Sequence, residues 1–279
     1  MSGSAFPELQ RDLSFHPVVN PTPRVLTAAQ IEQYNTWGYI VPLDVLTPAE
    51  VAEHRAYFEQ LLANTLAHGW NHYAINGWQA RCPGIYDLVT HHRVLDYVQD
   101  LLGETLICWA THYFAKLPGD GKRVSWHQDA SYWPLTPSKT VTVWLAIDDV
   151  DPDNGPMTVI PGSHVHGQLD FEESTAEEQN VLSQSVRSPE SYGAAPVAFT
   201  MRAGQMSLHS DLLLHGSEPN TSDRRRCGLT IRFVSPEVRE LKGWRRNAII
   251  ARGSDPSGHW PHNPRPAHDD IPTPQDRIF

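Results

Sequence analysis

The chain has 279 residues, of which 40% are hydrophobic and 19% charged, so it can bury a sizeable core in one large β domain with added helices. The net charge is −10, and the two basic clusters, Arg224-Arg225-Arg226 and Arg245-Arg246, are short, which argues against a nucleic-acid partner. No stretch reaches the roughly 20 apolar residues that a membrane span requires, and residues 1–10 lack the pattern of a secretory signal, so we expect no membrane association.

Helix signals dominate the first hundred residues. Residues 1–25 form a predicted irregular arm that contains several prolines. Capping residues, a proline at a first helical position and apolar residues at helical spacing then predict helices with one face packed on the core. In chain order, the predicted elements are a short helix from residue 27, a strand over 38–42, a helix from residue 47 and a helix over 94–102.

From residue 106 onward the pattern becomes β. The predicted strands cover residues 106–117, 140–148, 157–160, 197–201, 205–214 and 228–234. The polar stretch 168–192 is too long for a hairpin and is interpreted as an insertion or lid. Residues 26–252 are therefore predicted to form one domain. The Pro-rich tail over 253–279 is disordered, covers the active-site mouth or reaches a neighbouring subunit.

A His-x-Asp pair indicates a metal site. His127 and Asp129 lie two positions apart, so on an extended stretch both side chains leave the same face. A second imidazole from a neighbouring strand would complete the facial triad of non-heme Fe(II) oxygenases, and His215 is the candidate. Zinc is the main alternative metal, since the same donors suit it. The alternative without a metal is a loop histidine beside a turn-forming aspartate.

The His-x-Asp pattern occurs twice more. His209 and Asp211 share a predicted strand with His215, but six residues of strand span roughly 20 Å, so the three share a metal only if the strand breaks. His268 and Asp270 lie in the Pro-rich tail, where no apolar strand holds them. The pair His127/Asp129 differs from these two pairs because one predicted strand precedes it and another follows it.

Four motifs, in this order and spacing, resemble the phytanoyl-CoA dioxygenase family of Fe(II)/2-oxoglutarate oxygenases over roughly residues 26–240. They are Trp126-His127-Gln128-Asp129, Asn154-Gly155-Pro156-Met157, Ile160-Pro161-Gly162-Ser163-His164, and His215-Gly216-Ser217 followed by Arg226. The resemblance implies a mainly β fold, a double-stranded β-helix (jelly roll, cupin-like) core with flanking N-terminal helices. It also implies Fe(II), O₂ and the co-substrate 2-oxoglutarate, with His127, Asp129 and His215 as metal ligands.

Arg226 is the predicted partner of the distal carboxylate of 2-oxoglutarate, because a guanidinium presents a fork of N–H donors. It is preferred over Arg224 and Arg225 because its offset of eleven residues from His215 matches the family and a buried strand follows it. Further candidate contacts to the co-substrate are Thr142, Ser217 and His112.

The predicted substrate contacts are aromatic. Tyr132 and Trp133 follow the ligand motif, and Tyr113 lies on the strand before it. Such a wall suits an apolar, ring-shaped or cationic group, and the alternative is that these residues are core. We predict a small-molecule substrate, an amino-acid derivative, phosphonate or natural-product intermediate, because no basic groove suits coenzyme A.

Asp129 also bears on the type of reaction. Related halogenases carry Ala or Gly at this position, so the resemblance favours hydroxylation of an unactivated C–H bond, with release of succinate and CO₂. Desaturation, epoxidation and cyclisation use the same ligands and stay open, as do a cupin-like metalloenzyme without 2-oxoglutarate and a non-catalytic binding protein. Three widely spaced cysteines are typical of a reduced compartment, which predicts a cytoplasmic protein, monomeric or homodimeric.

Overall fold

A computed structural model describes residues 6–175 and 179–273. Parts of the predicted arm (residues 1–5), insertion (176–178) and tail (274–279) therefore lie outside the described residues. Helices gather in the first hundred residues, as predicted, and one short helix follows the metal-ligand motif. The α-helices are Ala28–Trp37 (α1), Pro48–Ala67 (α2), Pro83–Val89 (α3), His92–Leu102 (α4) and Asp129–Tyr132 (α5). None of the described helices is both long enough and apolar enough to cross a bilayer.

Strands make up most of the remaining regular structure. They are Tyr39–Asp44 (β1), Leu106–Lys116 (β2), Val124–His127 (β3), Leu135–Thr136 (β4), Thr140–Ala146 (β5), Thr158–Val159 (β6), Glu172–Glu173 (β7), Gln184–Ser185 (β8), Val197–Ala198 (β9), Gln205–Ser210 (β10), His215–Ser217 (β11), Arg226–Val234 (β12), Arg239–Glu240 (β13) and Ile249–Arg252 (β14). The sequence did not predict β3 or β14 as strands, because β3 is short and polar and β14 adjoins the Pro-rich tail.

Two antiparallel sheets form the centre of the fold. The major sheet has the strand order β1-β10-β5-β12-β2-β14, and the minor sheet has the order β3-β11-β6-β9. Neighbours in these orders are distant in sequence, which is typical of jelly-roll connections and not of simple hairpins. The predicted double-stranded β-helix with flanking N-terminal helices is confirmed.

The two faces of the major sheet have different roles. On one face, Leu229, Ile231 and Phe233 of β12 belong to the core that also contains Phe58 and Leu61 of α2. Because side chains alternate along a strand, the intervening residues of β12 lie on the opposite face. That face lines the interior of the barrel, and it carries the polar residues Arg226, Thr230 and Arg232.

The predicted strand over residues 205–214 is confirmed for Gln205–Ser210, but its extension to residue 214 is wrong, because the chain turns after Ser210. The backbone N–H of Leu213 donates to the carbonyl of Ser210 at 3.0 Å. The N–H of Leu214 donates to the hydroxyl of Ser163 at 2.9 Å, and its carbonyl accepts from Ile160 at 2.9 Å. The Ile-Pro-Gly-Ser-His motif therefore holds this turn. His215 consequently begins a new strand in the other sheet.

Gly228 is required where β12 passes the indole of Trp144. A Cβ at this position would lie 2.1 Å from Cζ2 of Trp144, and that indole is fixed because it is buried. We expect Gly228→Ala to lower the free energy of unfolding by about 1–3 kcal/mol, measured by urea denaturation. Gly121→Ala is the control, since its Cβ would meet only the flexible side chain of Gln179 at 3.2 Å. Equal losses in the two variants would contradict the packing argument.

Candidate metal centre

The two candidate histidine ligands lie opposite each other on adjacent strands. His127 ends β3 and pairs with His215, the first residue of β11. Their ring centroids are 4.1 Å apart. Asp129 follows two residues after His127, at the start of α5. One ligand atom from each of these three buried residues lies within 4.8 Å of the other two, so the structure brings the predicted triad together.

Backbone carbonyls fix the orientation of both imidazoles. Nδ1 of His127 lies 2.8 Å from the carbonyl oxygen of Ser125, and Nδ1 of His215 lies 2.8 Å from that of Leu213. Because a carbonyl only accepts, each Nδ1 carries the proton and each Nε2 keeps a free lone pair. Burial, and then the neighbouring His215, lower the pKa of His127 well below its ordinary value, so this ring is neutral.

Asp129 is held beside the two rings. Its Oδ1 lies 3.8 Å from Nε2 of His127, and its Oδ2 accepts a hydrogen bond of 3.3 Å from the hydroxyl of Thr142. Thr142 was predicted to contact the co-substrate. In the structure its hydroxyl orients the carboxylate of Asp129, and the side chain is fully buried on β5 and absent from the described lining of the inner cavity.

His209 is a neighbour of the triad that the sequence did not predict. Its Nε2 lies 4.0 Å from Oδ2 of Asp129, and its ring centroid is 5.1 Å from that of His215. The break after β10 causes this proximity, which a continuous strand forbids. Burial, and then His215, lower the pKa of His209 to about 3. Its partner in the second His-x-Asp pair, Asp211, instead accepts a hydrogen bond from Ser138 at 2.7 Å.

An inner cavity adjoins the triad inside the barrel. Besides the triad, its lining includes Phe114, Trp144, Met157, Ser217, Arg226 and Thr230. The two predicted co-substrate contacts Ser217 and Arg226 therefore share one cavity with the candidate metal ligands. Its walls are mainly apolar, and Arg226 supplies a positive charge.

Arg226 has no carboxylate partner among residues 6–175 and 179–273. It is 2% exposed, and its guanidinium lies 5.5 Å from the centre of the Trp144 ring. Its Nε has no acceptor. Burial lowers the pKa of Arg226 to about 10, which leaves it cationic at neutral pH. Arg224 and Arg225, the rival candidates, are already paired with Asp151 at 2.7 Å and with Asp148 at 2.7 Å.

A larger outer cavity of about 500 Å³ shares His127 and Asp129 with the inner cavity. Tyr132 and Trp133 line it, as predicted for substrate contacts. His112 also lines this cavity, with Nε2 2.8 Å from the carbonyl of Tyr73, and it is not among the residues that line the inner one. Four lining tryptophans were not predicted, because they come from distant parts of the chain: Trp70, Trp78, Trp109 and Trp244.

The predicted substrate contact of Tyr113 needs correction. Tyr113 is fully buried in the core beneath α2, with its ring 4.7 Å from that of Phe58. Its neighbours His112 and Phe114 line the cavities, so alternation along β2 places Tyr113 on the opposite face. It is absent from the described lining of both cavities.

Tyr113→Phe should therefore leave the protein intact. The Tyr113 hydroxyl is buried without a hydrogen-bond partner, which costs free energy on folding. The Phe variant lacks the hydroxyl and avoids this cost. We expect the free energy of unfolding to stay within about 0.5 kcal/mol of the wild type or to rise. Tyr132→Phe is the matched control, since that hydroxyl accepts a hydrogen bond from the N–H of Gln184 at 2.9 Å. A clear loss of stability for Tyr113→Phe alone would contradict the assignment.

The C-terminal segment lies against the helices near the outer cavity. The Tyr57 hydroxyl donates to Asp269 at 2.5 Å, and the indole N–H of Trp70 donates to the carbonyl of Pro272 at 2.6 Å. Asp270, the carboxylate of the third His-x-Asp pair, forms a surface ion pair with Arg81 at 2.9 Å. Pro272 itself lines the outer cavity.

Comparison with known proteins identifies the family. The family profile described as phytanoyl-CoA dioxygenase (PhyH) matches residues 34–228. A probable alpha-ketoglutarate-dependent hypophosphite dioxygenase of Stutzerimonas stutzeri is 30% identical over 160 residues, which cover 57% of this chain and 56% of that protein. The peroxisomal phytanoyl-CoA dioxygenase of Bos taurus is 28% identical over 156 residues, 54% of this chain and 46% of that protein. The chain spans about half the length of these two relatives.

A solved structure is similar to a larger part of the chain than these two relatives are. The apo form of the non-heme monooxygenase ThoJ superposes with a TM-score of 0.75 at 30% identity, covering 85% of this chain and 88% of ThoJ. ThoJ has also been solved as a nickel complex, which superposes with a TM-score of 0.71. With its jelly roll, its His-Asp-His triad and a profile match over residues 34–228, the chain belongs to the phytanoyl-CoA dioxygenase family.

Proposed function

We propose that the chain is an Fe(II)- and 2-oxoglutarate-dependent dioxygenase that hydroxylates an unactivated C–H bond of a small metabolite. One observation carries the proposal. Two imidazoles with free Nε2 atoms and one carboxylate converge within 4.8 Å, beside a cavity that contains the unpaired cation Arg226. The alpha-ketoglutarate dependence of the Stutzerimonas relative supports it.

The residues of the triad fit a divalent metal. Both imidazoles present a lone pair, and the carboxylate of Asp129 supplies one negative charge in a buried site. Together they would hold an ion as the two-His, one-carboxylate facial triad does. A zinc site would accept the same donors, but it would leave Arg226 and the inner cavity without a role.

The groups that line the inner cavity would suit 2-oxoglutarate. Arg226 would bind the distal carboxylate through paired N–H donors, with Ser217 as a further donor, while Trp144 and Met157 pack against the carbon chain. A buried cation of this kind is stable only with an anionic partner, which the co-substrate would supply. Fe(II) held by the triad, with 2-oxoglutarate held by Arg226, would supply the activation of O₂: one oxygen atom would enter succinate as CO₂ leaves, and the other would enter the substrate as an alcohol.

The protein's own contribution is to bind, orient and exclude water. Thr142 holds the carboxylate of Asp129, and the carbonyls of Ser125 and Leu213 hold the two imidazoles. The aromatic outer cavity would position the substrate C–H bond on the open side of the metal. An amino-acid derivative, a phosphonate or a natural-product intermediate is of suitable size for it.

The proposal also covers the domain organisation, the cellular location and the oligomeric state. We infer one domain over residues 26–252, whose outer cavity is closed in part by Val181 and Leu182 of the insertion and by Pro272 of the C-terminal segment. The three cysteines are buried and free, which is consistent with the proposed cytoplasmic location. A monomer or homodimer remains the prediction.

Metal exchange tests the proposed function against the zinc alternative. Chelator-treated protein is loaded without oxygen with Fe(II) or with Zn(II), then exposed to O₂ and 2-oxoglutarate. We expect succinate to form only with Fe(II), at a slow rate without substrate. Succinate formation that is equal with either metal, or 2-oxoglutarate binding that is independent of metal, would contradict the proposal.

A further inference from the structure

A second buried arginine faces the candidate site. Arg232 lies on β12 six residues after Arg226 and on the same face of the strand. It is 7% exposed, and it lines both the inner and the outer cavity. Its guanidinium carbon lies 5.0 Å from the centre of the Trp133 ring, which itself packs edge-on against Trp109 at 5.3 Å. The cation therefore lies against the ring of Trp133, which is itself supported by Trp109.

Arg232 has no counter-ion of its own. In the part of the chain that the structure describes, no carboxylate oxygen lies within 4.0 Å of its guanidinium, and its Nε has no acceptor. Buried arginines are normally paired, because an isolated charge in a protein interior is costly. Asp129 lies near enough to interact with Arg232 electrostatically, but its carboxylate belongs to the metal site. A bound divalent cation would take up that negative charge.

The outer cavity contains little else that is charged. Of the described residues that line it, Arg232 is the sole Arg or Lys, and Asp129 is the sole Asp or Glu. Burial is the main cause that lowers the pKa of His112 to about 3, so this imidazole is neutral. The cavity thus offers one positive charge, from Arg232, within an aromatic wall.

We propose that the outer cavity binds an anionic substrate, whose carboxylate or phosphonate group pairs with Arg232 and whose apolar or ring-shaped body packs on the aromatic wall. The inference rests on the proposed function, because it places the substrate beside the metal triad. A guanidinium suits both anions, since its parallel N–H donors match two oxygens of either group. Arg226 and Arg232 then have separate ligands: co-substrate for the first and substrate for the second.

The spacing of the two arginines supports this division. Six residues of strand separate their Cα atoms by roughly 20 Å, and Thr230 lies between them on the same face. Arg226 lines the inner cavity but is absent from the described lining of the outer one, whereas Arg232 reaches both. A five-carbon dicarboxylate bound to the metal and to Arg226 would leave the Arg232 charge facing the outer cavity.

The test measures whether the protein binds an anion more tightly than a neutral probe of similar shape, and it requires no turnover. Full-length protein, loaded with Fe(II) and 2-oxoglutarate without oxygen, is titrated by calorimetry with phenylacetate, benzylphosphonate and the neutral isostere phenylacetamide. We expect the wild type to bind at least one anion 10- to 100-fold more tightly than the amide. In Arg232→Gln this preference should disappear while amide binding changes little, and Arg232→Lys should restore part of it. The better of the two anions distinguishes a carboxylate from a phosphonate substrate.

Matched controls separate the possible failures. Arg202→Gln removes an exposed arginine and should leave the anion preference unchanged. The visible absorption band of bound Fe(II) and 2-oxoglutarate is recorded before any probe is added, and its absence in the wild type would refute the proposed function. With a normal band, three results would overturn the role of Arg232: no tighter binding of either anion by the wild type, an unchanged preference in Arg232→Gln, or a raised 2-oxoglutarate requirement for the band in that variant.

Discussion

Replacing Arg226 with glutamine is expected to raise the 2-oxoglutarate concentration for half-maximal succinate formation by roughly 100- to 1000-fold. Arg226 is buried, cationic and without a carboxylate partner in the described chain, so the co-substrate's carboxylate would be its counter-ion. Removing one member of a buried charge pair leaves the other desolvated and uncompensated, which weakens binding far more than loss of a surface pair. Steady-state kinetics with varied 2-oxoglutarate measure the effect.

The neighbouring arginines provide the control for that experiment. Arg224→Gln removes an exposed guanidinium that is paired with Asp151, so we expect the 2-oxoglutarate requirement to change less than threefold. Arg225 is paired with Asp148 on the other face of the strand. If Arg225→Gln alone raised the requirement, the assignment of Arg226 to the co-substrate would be wrong.

Asp129→Ala is expected to abolish succinate formation, with a loss of at least about 1000-fold. The substitution removes one of the three proposed ligands and the only carboxylate among them, so the metal would be both weakly held and differently coordinated. Metal content by elemental analysis and succinate yield at saturating Fe(II) separate these two effects. Thermal unfolding of the metal-free variant shows whether the fold persists.

Asp44→Ala is the matched control. Its carboxylate is exposed, lies 3.6 Å from the exposed Arg202 and is absent from the described lining of both cavities. We expect wild-type succinate formation from this variant. Unchanged turnover in Asp129→Ala would remove that carboxylate from the proposed triad.

The triad could be predicted because its spacing is local. His127 and Asp129 need only an extended backbone to share a face, and four motifs in order made the resemblance specific. His209 could not be predicted as a neighbour of the triad. The break that brings it there depends on the hydrogen bond between Leu214 and Ser163, which are 51 residues apart. Sequence periodicity does not report contacts at such separations.

The substrate cavity was harder to predict for a related reason. Strand β2 is almost entirely buried on both faces, so its sequence lacks the alternation of polar and apolar residues that would mark the inner face. Tyr113 was therefore assigned to the cavity, although His112 and Phe114 line it. Arg232 was missed because the strand around it is buried and apolar, and only the three-dimensional pairing shows that its charge is unmatched.

The most direct test of the proposed function is anaerobic addition of Fe(II) and 2-oxoglutarate to metal-free protein, followed by visible absorption. We expect a weak charge-transfer band that requires both additions, because 2-oxoglutarate would bind the iron through two oxygens while Arg226 holds its far carboxylate. The band should need far more 2-oxoglutarate in Arg226→Gln. If no band formed although Fe(II) binding was verified separately, the proposed use of this triad and cavity for 2-oxoglutarate would be contradicted.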